Sequence, residues 1–287
     1  MSVAFRSRRG AEKVLAAYRG VLDGWPVPAK EHRLPTCQGE TFVLECGPQD
    51  APPVILLHGA QANAAAWMAD AAQWSRQLRI FAIDMIGEAG FSAEVRPPLD
   101  SDAHALWLDD VMAGLGLAQA SFVGTSLGGW LALDYAVRRP QKVERLALIA
   151  PAGIGRQKNL LLKAAPLLLL GAWGKKRIRR MVFGPQPKLL PENVSPFVQL
   201  MELIGKEIRP RIVTIPRLSD EQLQHLAIPM HVALGGRDAL LDSVDTRQRL
   251  EAFAPHARIS FDPDGYHFLP GQAGPVEDFL LQGRMRS

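Results

Sequence analysis

Two kinds of apolar spacing take turns along the chain. From Val54 to Leu57 every position is apolar and the run stops at His58-Gly59, which marks a strand buried on both faces rather than one with a wet side. Short units of the same kind return at Arg79 to Ile83 before Asp84, at Ala120 to Val123 before Gly124, and at Val143 to Ile149 before Pro151. Two more follow, Pro229 to Leu234 before Gly235 and Arg258 to Phe261 before Asp262. Stretches of helical length lie between most of them: Asn63 to Leu78, Asp102 to Leu117, Leu127 to Arg139 and Asp242 to Phe253. Strand and helix in alternation predict an α/β fold with a mostly parallel sheet flanked by helices. Ahead of it, Ala11, Val14, Leu15, Tyr18 and Leu22 recur at helical spacing, and His32 to Gly47 reads as a hairpin turning at Gln38-Gly39-Glu40. With the two hairpin strands the sheet is expected to be eight-stranded.

One interval breaks the rhythm. Between Ile149 and Pro229 the chain runs for about eighty residues, too long for a structureless loop in a compact domain. The expectation is an inserted helical cap over 151–228, with a core domain formed by 1–150 and 229–287. The cap is apolar at Leu160, Leu161, Leu162, Leu167, Leu168, Leu169, Leu170 and Trp173. Burial against the body of the protein is the simpler expectation for these side chains, and lining a pocket is the alternative. Lys163 and Pro166 interrupt the run, which is too short to span a bilayer, so no stable membrane insertion is expected.

Composition narrows the function classes. The chain has 287 residues, 47% hydrophobic and 22% charged, which suits a globular domain able to bury a large core. The net charge of +4 is mild. Its one dense cluster, Lys175-Lys176-Arg177 with Arg179-Arg180, comes without a nucleic-acid-binding motif and reads as a solvated face, so no nucleic-acid partner is expected. Attachment of this cluster and its leucines to a membrane surface is the less favoured alternative. Cys37 and Cys46 fall at different heights of the hairpin, out of reach of each other, and two free thiols suit a reducing cytoplasm. The first twenty residues are basic but hold no apolar core or cleavage site of a secretory signal. A cytoplasmic protein is expected, with a homodimer left open.

Gly124-Thr125-Ser126-Leu127-Gly128 fits G-x-S-x-G between a buried strand and a helix, the context in which that pattern marks a nucleophilic serine on a sharp turn. A phosphate loop would need a lysine or a G-x-G-x-x-G spacing, and both are missing here. A serine hydroxyl needs a base, and the base needs an acid to orient it. His267 follows the last strand at the carboxyl edge of the sheet, where open parallel sheets gather their ligand-binding groups. His32, His104, His225, His231 and His256 fall in the hairpin, a helix start, the cap end, a strand interior and the wrong end of a strand. For the acid, Asp238 stands nearest the end of the 229–234 strand, with Asp242 as fallback or helix N-cap. The developing oxyanion needs two donors. Leu127 offers a backbone N–H at the helix start, and Ala60 offers another from the loop after His58-Gly59, ahead of Gln61 or Asn63. His58 is expected to brace that loop and Asp84 to be structural. No side chains around Asp84 have metal-ligand spacing, and neither cofactor nor metal is expected.

The order Ser126, Asp238, His267 is that of the α/β-hydrolases. The chain resembles the esterase and lipase branch of that superfamily through LLHGA (56–60), IDMIGEAGFS (83–92), VGTSLGGW (123–130), LIAPAG (148–153), LGGRD (234–238) and GYH (265–267). DGWPVP (23–28), GPQDAPPVILLHGA (47–60) and RPRIVTIPRLSDEQL (209–223) resemble a bacterial serine carboxylesterase subgroup, including enzymes that cleave bulky arylpropionate esters. Thr125 and Leu127 stand where many relatives carry Met and Tyr. The resemblance implies an α/β-hydrolase fold and a catalytic triad hydrolysing small-molecule esters with an apolar group through an acyl-enzyme. Two rivals are kept: a C–C bond hydrolase of a ring-cleavage diketo acid, faintly suggested by APAGIG (150–155), and a catalytically silent binding protein of the same fold. Phe268 stands where the C–C hydrolases commonly place Trp. Aspartate-nucleophile dehalogenases and epoxide hydrolases are excluded by serine at position 126.

Overall fold

The computed structural model describes residues 4–159, 166–167, 169–185, 195–211 and 213–283. Eight strands form one sheet in the order β1-β2-β4-β3-β5-β6-β7-β8. They are β1 (Ala29–Thr36), β2 (Gly39–Cys46), β3 (Pro53–Leu57), β4 (Arg79–Ile83), β5 (Ala120–Thr125), β6 (Val143–Ile149), β7 (Met230–Gly235) and β8 (Arg258–Asp262). The hairpin β1-β2 is antiparallel, β2 pairs antiparallel with β4, and the remaining ladders are parallel. The expected α/β sheet is therefore the observed one. Its inner strands are buried almost throughout, whereas the edge strand β8 alternates between exposed and half-buried positions.

Nine α-helices are present among the described residues. Helix α1 (Arg8–Leu22) starts where the Ser7 side chain accepts the Gly10 N–H, and it buries Val14, Tyr18, Val21 and Leu22 along one stripe. The segment expected as a single helix from Asn63 divides into a 3-10 turn (Ala64–Trp67), begun by the Asn63 side chain accepting the Ala65 N–H, and α2 (Met68–Trp74). Helices α3 (Ala103–Gly114) and α4 (Leu127–Arg138) fall where expected. In the long interval after β6 come α5 (Gly171–Phe183), α6 (Ser195–Glu207) and α7 (Asp220–His225). After β7 follow α8 (Ser243–Phe253) and α9 (Ala273–Leu281). The last of these goes beyond the expected elements. Gly274 and Pro275 in its first turn interrupt the apolar pattern, but proline is tolerated there because that N–H has no helical acceptor, and Val276, Phe279, Leu280 and Leu281 are still buried.

Successive side chains of each strand enter opposite layers of the core. Ile55 and Leu57 join one layer with Trp107, Leu131 and Tyr135, whereas Val54 and Leu56 join the other with Tyr18, Trp74 and Phe279. The cap interval is tied into both layers. Leu218, Leu223 and Leu226 belong to the first, and Leu200, Ile204 and Ile208 of the α6 region to the second. The amino-terminal segment clamps α6, since Arg6 N–H donates to Glu207 O at 2.8 Å and Arg209 N–H to Ala4 O at 2.8 Å.

Among the described residues of the cap's apolar run, burial holds only in part. Leu167 is half-buried, but Leu169, Leu170 and Trp173 are exposed. The inner face of α5 is supplied instead by Gly174, Ile178, Met181 and Val182. Leu160, Leu161, Leu162 and Leu168 lie outside the described residues. In the hairpin, Thr36 pairs with Gly39 and Ala29 with Cys46, so the turn is Cys37-Gln38 and the two free thiols stand at opposite ends. Among the described residues no helix is long and apolar enough to cross a membrane.

The sheet order sets the place of the site. Strand β3 lies between β4 and β5, so the chain runs outward to β4 and then crosses back to the other side of β3. At such a reversal the loops leaving the carboxyl ends part in opposite directions and open a crevice. The loops after β3 and β5 meet there.

Candidate active site

Ser126 sits between β5 and α4 with φ 52 and ψ −110. A non-glycine residue at positive φ with that ψ is strained by about 1–3 kcal/mol, and such strain persists only where the surroundings over-determine it. Here they do. Its N–H donates to Ile149 O at 3.0 Å, and its carbonyl accepts from Trp130 N–H and Ala152 N–H, each at 3.1 Å. The glycines on either side answer to close approach. A Cβ on Gly124 would stand 2.5 Å from Gly128 O, and one on Gly128 would stand 2.1 Å from Leu57 O. Either contact lies far inside van der Waals distance, so a side chain at either position would push α4 away from the sheet.

The end of β3 packs beside this turn. A Cβ on Gly59 would stand 3.7 Å from the Cβ of Ser126, which places Ala60, exposed on the same loop, next to the serine. Gln61 and Asn63 are engaged elsewhere. Gln61 N–H donates to Glu88 Oε2 at 2.7 Å, while the Asn63 amide donates to Ala89 O at 2.8 Å and its carbonyl receives Ala65 N–H. Of Ala60, Gln61 and Asn63, Ala60 directly follows the glycine that packs against Ser126. Leu127, the other candidate, is the first residue of α4, where backbone N–H groups lack helical acceptors and the helix dipole favours negative charge.

His58 braces the loop, as the sequence suggested. Its Nδ1–H donates to Gly59 O at 2.7 Å and its Nε2 accepts Met85 N–H at 3.0 Å. Both bonds require the neutral ring, and burial holds its pKa down to about 4. The folded state therefore binds fewer protons than the unfolded one between about pH 4 and 6.5. The stability this contributes is complete above pH 6.5 and is lost as pH falls toward 4, on the order of 3 kcal/mol. His58→Gln keeps an acceptor for Met85 without titrating. Chemical denaturation at pH 7 and pH 4 is expected to show the wild-type advantage over this variant shrinking by about that amount; an advantage independent of pH would contradict the assignment.

Asp238 and His267 are brought together. Asp238 lies just beyond β7 and is 2% exposed, and His267 lies in the loop after β8. His267 Nδ1–H donates to Asp238 Oδ2 at 2.7 Å, while Asp238 Oδ1 accepts Leu240 N–H at 2.7 Å and Leu241 N–H at 3.0 Å. The carboxylate thus has three donors and its geometry is set from both sides. The two glycines of LGGRD let the His267 loop close over the end of β7: a Cβ on Gly235 would stand 2.4 Å from Tyr266 O, and one on Gly236 2.7 Å from Pro263 O. Lys158 Nζ donates to Asp238 O at 2.7 Å and anchors the loop from the other side. Asp242, the fallback acid, caps α8 by accepting Asp245 N–H at 3.1 Å.

Asp84, His32, His225 and His256 are engaged elsewhere. Asp84 accepts from Tyr18 OH, Ala64 N–H and Phe91 N–H, joining α1, the 3-10 turn and the following loop, and burial raises its pKa to about 6. His32 pairs with Glu45, His225 bonds Glu221 O and His256 bonds Ile228 O. Among the described residues no group of three His, Cys, Asp or Glu side chains could hold a metal ion.

Sequence reasoning passed over one residue. Glu88 is buried, and its Oε2 holds the N–H of Gln61, which has φ 57. That bond fixes a left-handed turn directly after Ala60 with a residue that is not glycine. Its Oε1 is buried with no hydrogen-bond partner, and burial raises the carboxyl pKa. The lone signal was an acidic residue inside the apolar stretch IDMIGEAGFS, and nothing in the sequence joins position 88 to position 61.

Comparison with known proteins places this architecture among hydrolases. Residues 52–178 match the family model described as alpha/beta hydrolase fold. Carboxylesterase YbfK of Bacillus subtilis is 28% identical, over 93% of this chain and 92% of its own length. The crystal structure of that protein superposes with a TM-score of 0.81 at 27% identity, covering 96% of this chain and 99% of the other. Naproxen esterase from the same organism superposes equally, with a TM-score of 0.81 at 26% identity over 95% of this chain and 97% of its own. A 2-hydroxymuconate semialdehyde hydrolase of Pseudomonas sp. is 33% identical, but over only 36% of this chain and 37% of its own.

Proposed function

We propose, for a chain that belongs to the α/β-hydrolase superfamily, the hydrolysis of small-molecule carboxylic esters by a Ser126–His267–Asp238 triad. The observation that carries the reading is the strained turn at Ser126 at the same sheet edge as the hydrogen-bonded pair of buried Asp238 and half-buried His267. Full-length similarity to bacterial carboxylesterases supports the ester as substrate.

Ser126 Oγ attacks the acyl carbon while Nε2 of His267 takes its proton. The tetrahedral oxyanion is met by the N–H groups of Ala60 and Leu127, each worth a few kcal/mol to the transition state. His267 returns the proton to the departing alcohol, leaving an acyl-enzyme, and water then repeats the sequence to free the acid. Asp238 keeps the proton on Nδ1, so that Nε2 faces the serine as an acceptor, and it stabilises the imidazolium. Glu88 acts through Gln61, holding the turn that aims the Ala60 N–H. Glu88→Leu is expected to lower kcat by about ten- to a hundredfold with little change in KM, because a misplaced oxyanion donor is lost in the transition state only. Glu88→Gln, which can still accept from Gln61, should retain most of the rate; equal kcat in the leucine variant and the wild type would remove Glu88 from the mechanism.

The apolar group of the substrate finds Phe268 next to His267, itself in ring contact with Phe183 of α5 at 6.5 Å. The core domain is taken as 1–150 with 229–287 and the cap as 151–228, in a cytoplasmic protein without cofactor or metal. The partial match to a semialdehyde hydrolase favours C–C hydrolysis as the second reading. Steady-state rates on p-nitrophenyl esters and on a ring-cleavage diketo acid decide between them. Turnover of the esters alone is expected, and turnover of the diketo acid alone would reverse the assignment.

A further inference from the structure

Helix α5 separates sharply into two faces. Gly174, Ile178, Met181 and Val182 are buried or half-buried, whereas Trp173, Lys176, Arg177, Arg179, Arg180 and Phe183 are exposed. The turn that leads into the helix continues the outer face with Leu169, 88% exposed, and Leu170, 55% exposed, and Trp173 is 61% exposed. Large apolar side chains and cations are thus gathered on one convex surface. Of these cations, Arg179 has an acidic neighbour in Glu202 at 3.4 Å. The far end of the patch reaches the candidate active site: Phe183 meets Phe268, and Gly184 lies so close to the Tyr266 ring that a Cβ there would stand 2.7 Å from it.

Three occupants can be weighed by chemistry. A second copy of the chain, joined through a two-fold axis, would lay one cationic face on another, and like charges brought together in a partly dry contact repel. A nucleic acid would use the cations but has no use for Leu169 and Leu170. An anionic lipid surface uses both sets, with leucine and tryptophan entering the boundary between headgroups and acyl chains while lysine and arginine meet the phosphates. We propose that the turn at Leu169-Leu170 and the outer face of α5 dock this protein on an anionic membrane surface, with Trp173 in the interface and Lys176, Arg177 and Arg180 on the headgroups. Docked this way, the Phe183–Phe268 end of the patch brings the loop that carries His267 toward the lipid. The binding itself does not depend on which bond the site cleaves.

The test is sedimentation of the full-length protein with vesicles of phosphatidylcholine and with vesicles of phosphatidylcholine mixed with phosphatidylglycerol. Binding is expected to the mixed vesicles only, and to weaken as salt screens the headgroups. The double variants Leu170→Ser with Trp173→Ser, and Arg177→Glu with Arg180→Glu, should each lower the partition coefficient about tenfold or more, with thermal melting reporting that each is folded. If charge reversal lowers the melt, Arg177→Gln with Arg180→Gln replaces it. Failure of the wild-type protein to sediment with anionic vesicles at low salt would overturn the proposal. So would binding that folded variants leave unchanged, or vesicle-independent self-association abolished by either pair.

Discussion

Ser126→Ala is expected to cut kcat for ester hydrolysis by about a million-fold while leaving the melting temperature nearly unchanged. In the proposed mechanism the rate falls because the hydroxyl is the attacking group, and the oxyanion donors left behind would recover only about a thousand- to ten-thousandfold over water. The stability stays because the strain at Ser126 lies in the backbone, at φ 52 and ψ −110. Alanine has the same Cβ and the same difficulty there, and the bonds from Ser126 N–H and to its carbonyl involve main-chain atoms that the substitution keeps. Burst and steady-state assays on one p-nitrophenyl ester, with calorimetric melting of both proteins, measure the two halves. A variant within tenfold of the wild-type rate would show that another group attacks.

Asp238→Asn is the second large effect, about ten-thousandfold in kcat, and the hydrogen bonds say why. One carboxylate oxygen, Oδ1, receives two backbone N–H groups, from Leu240 and Leu241, and the other receives His267 Nδ1–H. An asparagine must give its carbonyl oxygen to the two amides, because its NH2 cannot accept them. The NH2 is then turned toward His267 and donates to Nδ1. The ring proton moves to Nε2, the atom that has to accept the Ser126 proton, and the base is disabled with its position kept. A rate within tenfold of wild type would place the acid elsewhere, and Asp242 would be the residue to examine despite its role as N-cap of α8.

The parts of the candidate site that were legible in the sequence share one property: each is announced by its immediate neighbours. Ser126 is bracketed by Gly124 and Gly128, whose missing side chains answer to contacts of 2.5 and 2.1 Å. Asp238 follows the buried β7 and His267 the edge strand β8 within a few residues, so the strand ends locate them. The inner strands were legible because burial on both faces leaves a largely apolar run, whereas the exposed β1 was read from the turn of its hairpin. What escaped depends on residues distant in the chain. The left-handed turn at Gln61 is held by Glu88, and glutamine carries no sign of positive φ. Leu169, Leu170 and Trp173 were misjudged because apolar residues in sequence imply burial only if a partner face exists, and α5 turns Ile178, Met181 and Val182 inward instead. Helix α9 was hidden by a proline that its first turn accommodates.

The most direct measurement is covalent labelling of the native protein with a fluorophosphonate, followed by mass analysis of its peptides. The phosphonyl group mimics the acyl centre and reacts only with a serine that has a working base. The account predicts a single label on the peptide carrying Ser126, lost in Ser126→Ala and strongly slowed in His267→Ala and Asp238→Asn. No label, or a label on another serine while ester hydrolysis proceeds, would contradict it.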